Sequence, residues 1–158
     1  MNPTQFKASY AIIKDKELII EFYSGDVSLE ALKAYRLKQT SDVDFSPTYD
    51  ILTDIRSAVY GVGTIDQVQE YVEYVISKGT IMGARKSATI VSTPNQHVYL
   101  NLFSKYNEKL PQEFNFFFQE EEAIAYLDKD ISVNEVVSML ENLRNNPQFV
   151  WNNDMKGF

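Results

Sequence analysis

The residues of this chain best suited to chemistry fall in two short runs. TDIRSAVYGVG carries Asp54, Arg56 and Ser57, and TPNQH carries Thr93, Asn95 and His97. A carboxylate two residues from a guanidinium can orient a ligand between opposite charges, although a local ion pair or a turn-capping aspartate is the commoner use of that spacing. His97 is the only histidine. In the first turns of a helix, the positive dipole end favours its neutral ring, which could then serve as a base or acceptor; an ordinary helix-boundary histidine is the plainer alternative. A single histidine cannot assemble the usual multi-ligand metal site, and there is no Gly-x-Ser-x-Gly nucleophile elbow for it to serve. The GVGT run before a helix invites a phosphate cradle, but a third glycine is missing and Asp66 would face the phosphate. A flexible turn with positive φ at Gly61 or Gly63 is the expectation there. Nothing in the sequence demands a metal or other cofactor.

Those residues need elements to position them. The 158 residues fit one domain over 1–145 and a tail over 146–158, and a chain of this length removes roughly 70% of its unfolded surface from water on folding. With 44% hydrophobic residues, ten Phe, ten Tyr and five Pro, it can offset its ordering entropy without staples. Fifteen Lys and Arg against 22 Asp and Glu give a formal charge of −7, with no basic run to neutralise a phosphate backbone, so nucleic acid and anionic membrane are poor partners. The absence of cysteine excludes disulfides, thiolate zinc sites and thiol nucleophiles. No apolar run approaches a membrane span and the opening lacks a signal-peptide pattern, so a cytoplasmic protein is expected.

SYAIIKDKELIIEFYSG reads as a hairpin around KDK. Ser28 then caps a helix opened by Glu30. YDILTDI is a short buried strand, and TIDQVQEYVEYVISKG a helix with a Thr64–Gln67 capping box, a stripe of Ile65, Val68, Val72, Val75 and Ile76, and Gly79 as its stop. KSATIVS is a strand. It leads into a helix with Thr93 and Gln96 as a second box, Pro94 in its first turn, and Tyr99, Leu102, Phe103, Tyr106 and Leu110 as its buried stripe. FNFFF is the fifth strand, the glutamates 120–122 open the next helix, and Ser132 with Glu135 boxes a last helix bearing Val133, Val136, Val137, Leu140 and Leu143. The alternation predicts an α/β fold: a five-stranded mixed sheet, an N-terminal hairpin plus a parallel core, covered by about five helices. In such a sheet the natural crevice lies outside the carboxyl ends of the strands, which is where Asp54, Arg56, Ser57, Thr93, Asn95 and His97 are expected to gather.

The hairpin YAIIKDKELIIEFYSG, the strand YDILTDI, the strand ATIVS and the strand-to-helix run FNFFFQEEEAIAYL, with Ala123, Tyr126 and Leu127, together resemble the STAS fold of the bacterial anti-sigma-factor antagonists and, more closely, the uncharacterised SpoIIAA-like proteins. The resemblance covers about residues 8–128. It implies a non-enzymatic domain that works by binding or regulation, through a protein partner or self-association such as a homodimer. One departure matters. Where the antagonists carry a phosphorylatable serine at the start of a helix, this chain has TIDQVQEY, with Asp66 followed by Gln67 and Val68. Thr64 stands nearby, but phosphate beside Asp66 would add like-charge repulsion.

A small apolar or lipid-like ligand is the second reading, because SpoIIAA-like and CRAL-TRIO-type folds are linked by resemblance to such ligands and the many Phe and Tyr could line a pocket. An enzyme using Asp54 and His97 as acid and base ranks third. The tail NNPQFVWNNDMKGF is too apolar for a free linker, and Phe149 and the only tryptophan, Trp151, are expected to dock on their own domain or on a neighbouring subunit.

Overall fold

The computed structural model describes residues 4–152. Strand β1 (Lys7–Ile13) turns through a single 3-10 turn, with Glu17 left-handed at φ 50°, into the antiparallel strand β2 (Leu18–Asp26). Helix α1 (Leu29–Thr40), strand β3 (Asp50–Val59), helices α2 (Val62–Asp66) and α3 (Val68–Lys78), and strand β4 (Lys86–Ile90) follow. Helix α4 (Pro94–Asn107), strand β5 (Glu113–Phe117), helices α5 (Glu120–Leu127) and α6 (Val133–Asn145), and strand β6 (Phe149–Val150) complete the described chain. The strands lie in the order β5-β4-β3-β2-β1-β6, with β2 to β5 mutually parallel and β1 antiparallel to both its neighbours.

Side chains alternate across these strands and so serve two cores. On one face Ile55, Val91 and Tyr23 pack under α1, α3 and α4; on the other Leu18, Ile20, Leu52, Ala88 and Ile90 pack under α5 and α6. Capping chemistry fixes where helices begin. Ser28 accepts from the Ala31 N–H, Thr93 and Gln96 form a full capping box with Pro94 in the first turn, and Ser132 accepts from the Glu135 N–H. Gly79 ends α3 at φ 64°.

Several expectations are corrected. A sixth strand exists, two residues long, because the tail returns to pair Phe149 with Ala8 and Val150 with Lys7. Phe149 meets Phe6 and Tyr35 edge-on, and the Trp151 N–H donates to the Phe6 carbonyl at 2.8 Å. Met155 and Phe158 lie outside the described residues. The expected Thr64–Gln67 box does not form: the helix breaks at Gln67, giving two helices for one, and the Thr64 hydroxyl donates instead to the Val27 carbonyl at 2.6 Å. Gly61 caps α2 at φ −75° and Gly63 lies within it, so neither takes a positive φ. That conformation falls at Gly25, where an added Cβ would lie 2.0 Å from the Gln5 carbonyl oxygen. In α3 it is Tyr71 rather than Ile76 that is buried.

Candidate functional site

Strand β3 outlasts β4. Pairing between them ends at Asp54 and Ile90, yet β3 continues to Val59, bonded only to β2 beyond a bulge. The overhanging carbonyls of β3 therefore need other partners. Gln96, fully buried at the start of α4, supplies them: its Nε2 donates to the carbonyls of Ile55 at 2.8 Å and Ala58 at 2.9 Å, while its Oε1 accepts from the N–H groups of Ser92 and Thr93. Asn95 does the same for the Tyr60 carbonyl at 3.1 Å. Thr93 and Asn95 are thus engaged in holding α4 against the strand end. Ser57 is exposed on the overhang. His97 packs its ring against Phe116 and Phe118, with centroids 5.6 and 5.1 Å away, and Phe118 is itself exposed.

Asp54 stands apart from that group. It lies in the strand interior and is completely buried on the α5/α6 face. Its carboxylate accepts the Arg56 guanidinium through two bonds of 3.0 Å, from Nε and Nη2, plus the Arg56 backbone N–H at 3.0 Å, and Glu120 at the start of α5 accepts from the same Nη2. The Asp54 hydrogen bond is the main reason the Arg56 guanidinium is held above its ordinary value. Asp54 is therefore a fully committed acceptor, and His97, on a helix of the opposite layer, makes no contact with it.

The opposite face holds polar groups that the sequence reading did not single out. Glu21 on β2 is fully buried, and its carboxylate accepts from Arg36 Nη1 at 2.9 Å, Tyr35 at 2.9 Å, Thr53 at 3.0 Å, Tyr23 at 3.1 Å and Gln39 at 3.2 Å. Arg36 also donates to the Tyr71 hydroxyl at 3.0 Å and to Gln39 at 2.6 Å. Burial alone would weaken the Arg36 charge, but Glu21 offsets it and keeps the guanidinium above its ordinary value. Burial likewise pushes the hydroxyls of Tyr23 and Tyr35 well up.

Beside this network, between the sheet and helices α1, α3 and α4, lies a recess of about 50 Å³. Hydroxyls of Thr53, Ser87 and Thr89 are on its sheet side, and Tyr60, Tyr71 and Tyr99 are among its walls. Arg85, only 6% exposed, also lines it, held by one 3.3 Å bond from Nε to Gln112. Its Nη1 has no partner among the described residues, and burial, reinforced by Arg36, lowers its pKa to about 10.

No family model matches the chain, and no curated protein matches it. Among solved structures it is similar to an uncharacterised protein of the DUF3478 family with a SpoIIAA-like fold from Shewanella loihica PV-4, with a TM-score of 0.50 and 15% identity over 80% of this chain and 97% of that one. An anti-sigma factor antagonist from Mycobacterium paratuberculosis superposes with a TM-score of 0.45 and 12% identity over 77% of this chain and 94% of that one. The first likeness shows that this chain has a SpoIIAA-like, STAS-type α/β fold, and at that identity it shows the fold alone.

Proposed function

We propose that this chain is a non-catalytic binding domain of the cytoplasm, and that the partner its geometry supports best is a small molecule held between the sheet and helices α1, α3 and α4. One observation carries this reading: the core on that face is interrupted by a recess walled by aromatic rings and floored by polar side chains, with one buried guanidinium nitrogen, Arg85 Nη1, without a partner among the described residues. A core evolved only for stability is packed to crystal-like density with apolar groups, so a polar-floored recess of this kind is the usual form of a ligand pocket. No catalytic role follows for the rim, because Asp54, Arg56, Thr93 and Asn95 are all engaged in bonds that hold the fold.

Native mass spectrometry of freshly purified protein, together with thermal shifts against small amphipathic compounds, tests it. A bound mass, or a saturable rise in Tm that is lost in Leu100→Trp, which fills the recess from α4, is the expected result. A chain that carries nothing, and whose Tm no compound moves, would refute it.

Protein contact is the second reading, favoured by the large apolar side chains left exposed along the rim, Val62 at 73% and Phe118 at 54%. Light scattering combined with size exclusion would detect a homodimer. A dimer dispersed by Phe118→Ser, with the recess still able to bind, would show both activities in one domain.

A further inference from the structure

Resting on the pocket reading above, we infer that the ligand of the recess is a small monocarboxylate, its anionic head on Arg85 and its apolar body against the aromatic walls. The argument is one of charge and valence. Two guanidinium groups, Arg36 and Arg85, line the recess, and Glu21 is the carboxylate beside them. Glu21 has no capacity left for Arg85. A carboxylate offers about four lone-pair sites, and five side chains already donate to this one. Arg36 and Glu21 form a closed ion pair at 2.9 Å, whereas no carboxylate among the described residues lies within ion-pair distance of Arg85.

A cation buried in that state is costly, and the fold gains nothing from it that an apolar side chain of similar volume would not give. It becomes useful when an anion arrives. The planar guanidinium fork, with Nη1 free, matches a carboxylate in two parallel bonds. One surplus positive charge calls for a monoanion. A dianionic phosphate would leave negative charge in the recess, and the site has none of the glycine-rich backbone N–H groups that cradle phosphates. The rest of the lining fixes the ligand's other end: Leu100, Phe103, Phe114 and Met82 present apolar surface, and the rings of Tyr60 and Tyr99 lie 4.3 Å apart beside them. The space, about 50 Å³, admits a body of only a few heavy atoms, neither a ring nor a long acyl chain.

Isothermal titration calorimetry with matched acid and amide pairs tests this, using the C2 to C4 alkanoates with their amides, on the wild type and on Arg85→Met. At least one acid is expected to bind ten-fold or more tightly than its own amide. In Arg85→Met that preference should disappear while binding of the amide persists, which also shows that the variant is folded. Equal binding of acid and amide, or an acid preference that survives in Arg85→Met, would overturn the carboxylate assignment and leave the pocket reading standing. Binding of inorganic phosphate in preference to every acid would overturn it as well. Failure of both series to bind would overturn this inference together with the pocket reading.

Discussion

The two faces of the sheet treat buried charge in opposite ways. Under α5 and α6, the Arg56 guanidinium is clasped by Asp54 and Glu120, two carboxylates for one cation, at a site where Arg56 still reaches solvent with 29% of its side chain exposed. Under α1, α3 and α4 the ratio is reversed: two guanidinium groups, both almost wholly buried, stand beside one carboxylate that pairs with Arg36 alone. The first arrangement is self-sufficient and reads as structure. The second is incomplete as it stands, and an incomplete buried charge set is what a binding site looks like before its ligand arrives.

Alkaline pH should separate the faces most strongly. Burial raises the hydroxyls of Tyr23, Tyr35, Tyr60 and Tyr99, all on the recess face. An unfolded tyrosine ionises near 10, so above that pH the unfolded chain sheds protons that the folded chain keeps, and stability falls as pH rises. Arg85 works in the opposite sense. Its folded pKa, lowered to about 10, means the unfolded state binds the extra proton between there and its ordinary value, so its own contribution grows with pH. Four groups outweigh one, and the net loss should reach a few kcal/mol between pH 10 and 11. Urea unfolding at pH 8, 10 and 11 measures it. A flat profile would mean that these hydroxyls are not sealed from water.

Substitution at the network's centre comes next. Glu21→Gln leaves Arg36 buried without its counter-charge and should cost about 3–5 kcal/mol in denaturant unfolding. Asp54→Asn, equally buried on the other face, should cost only about 1–2 kcal/mol, because Arg56 keeps Glu120 and its access to water. Equal costs would erase the distinction between the faces. Arg85→Met should stabilise the ligand-free protein by about 1 kcal/mol, a gain that marks a residue kept at the expense of stability. The smallest effect belongs to the rim shared by both faces: Thr93→Ala removes one half of a capping box and should cost about 1 kcal/mol, with no change in binding.

Much of the architecture was legible because local signals agreed with it. Ser28, Thr93 and Ser132 are hydroxyl caps preceding apolar stripes, and Gly79 is a left-handed helix stop, so these helix ends could be read directly. The break at Gln67 was hidden because Thr64 and Gln67 have box spacing, while the Thr64 hydroxyl is drawn away by a carbonyl 37 positions earlier in the chain. The length of β3 was hidden too. RSAV carries no strand signal, and its carbonyls are satisfied by Gln96, a residue whose spacing from Thr93 advertised only a cap. The rim residues were found by type but not by role, since spacing cannot show that Asp54 points toward α5 and α6 while His97 rides on α4. Arg85 left no trace, because GARKS looks like an ordinary basic loop. The signal present in hindsight was Glu21, a carboxylate inside the apolar run LIIEFY, where a strand buried on both faces has no use for one unless cations wait beside it.

The short return of the tail has a further effect on how copies of this chain meet. By laying Phe149 and Val150 along Lys7 and Ala8, with Gln148 bonded to the Tyr10 backbone, it covers the first half of that margin of the sheet with a strand too brief to template another. Strand addition is thereby directed to the far margin, β5, where Asn115 folds its own side-chain oxygen back onto the Phe116 N–H at 2.8 Å and so occupies a donor that an incoming strand would need. Growth of the sheet by stacking chain on chain is discouraged at both ends.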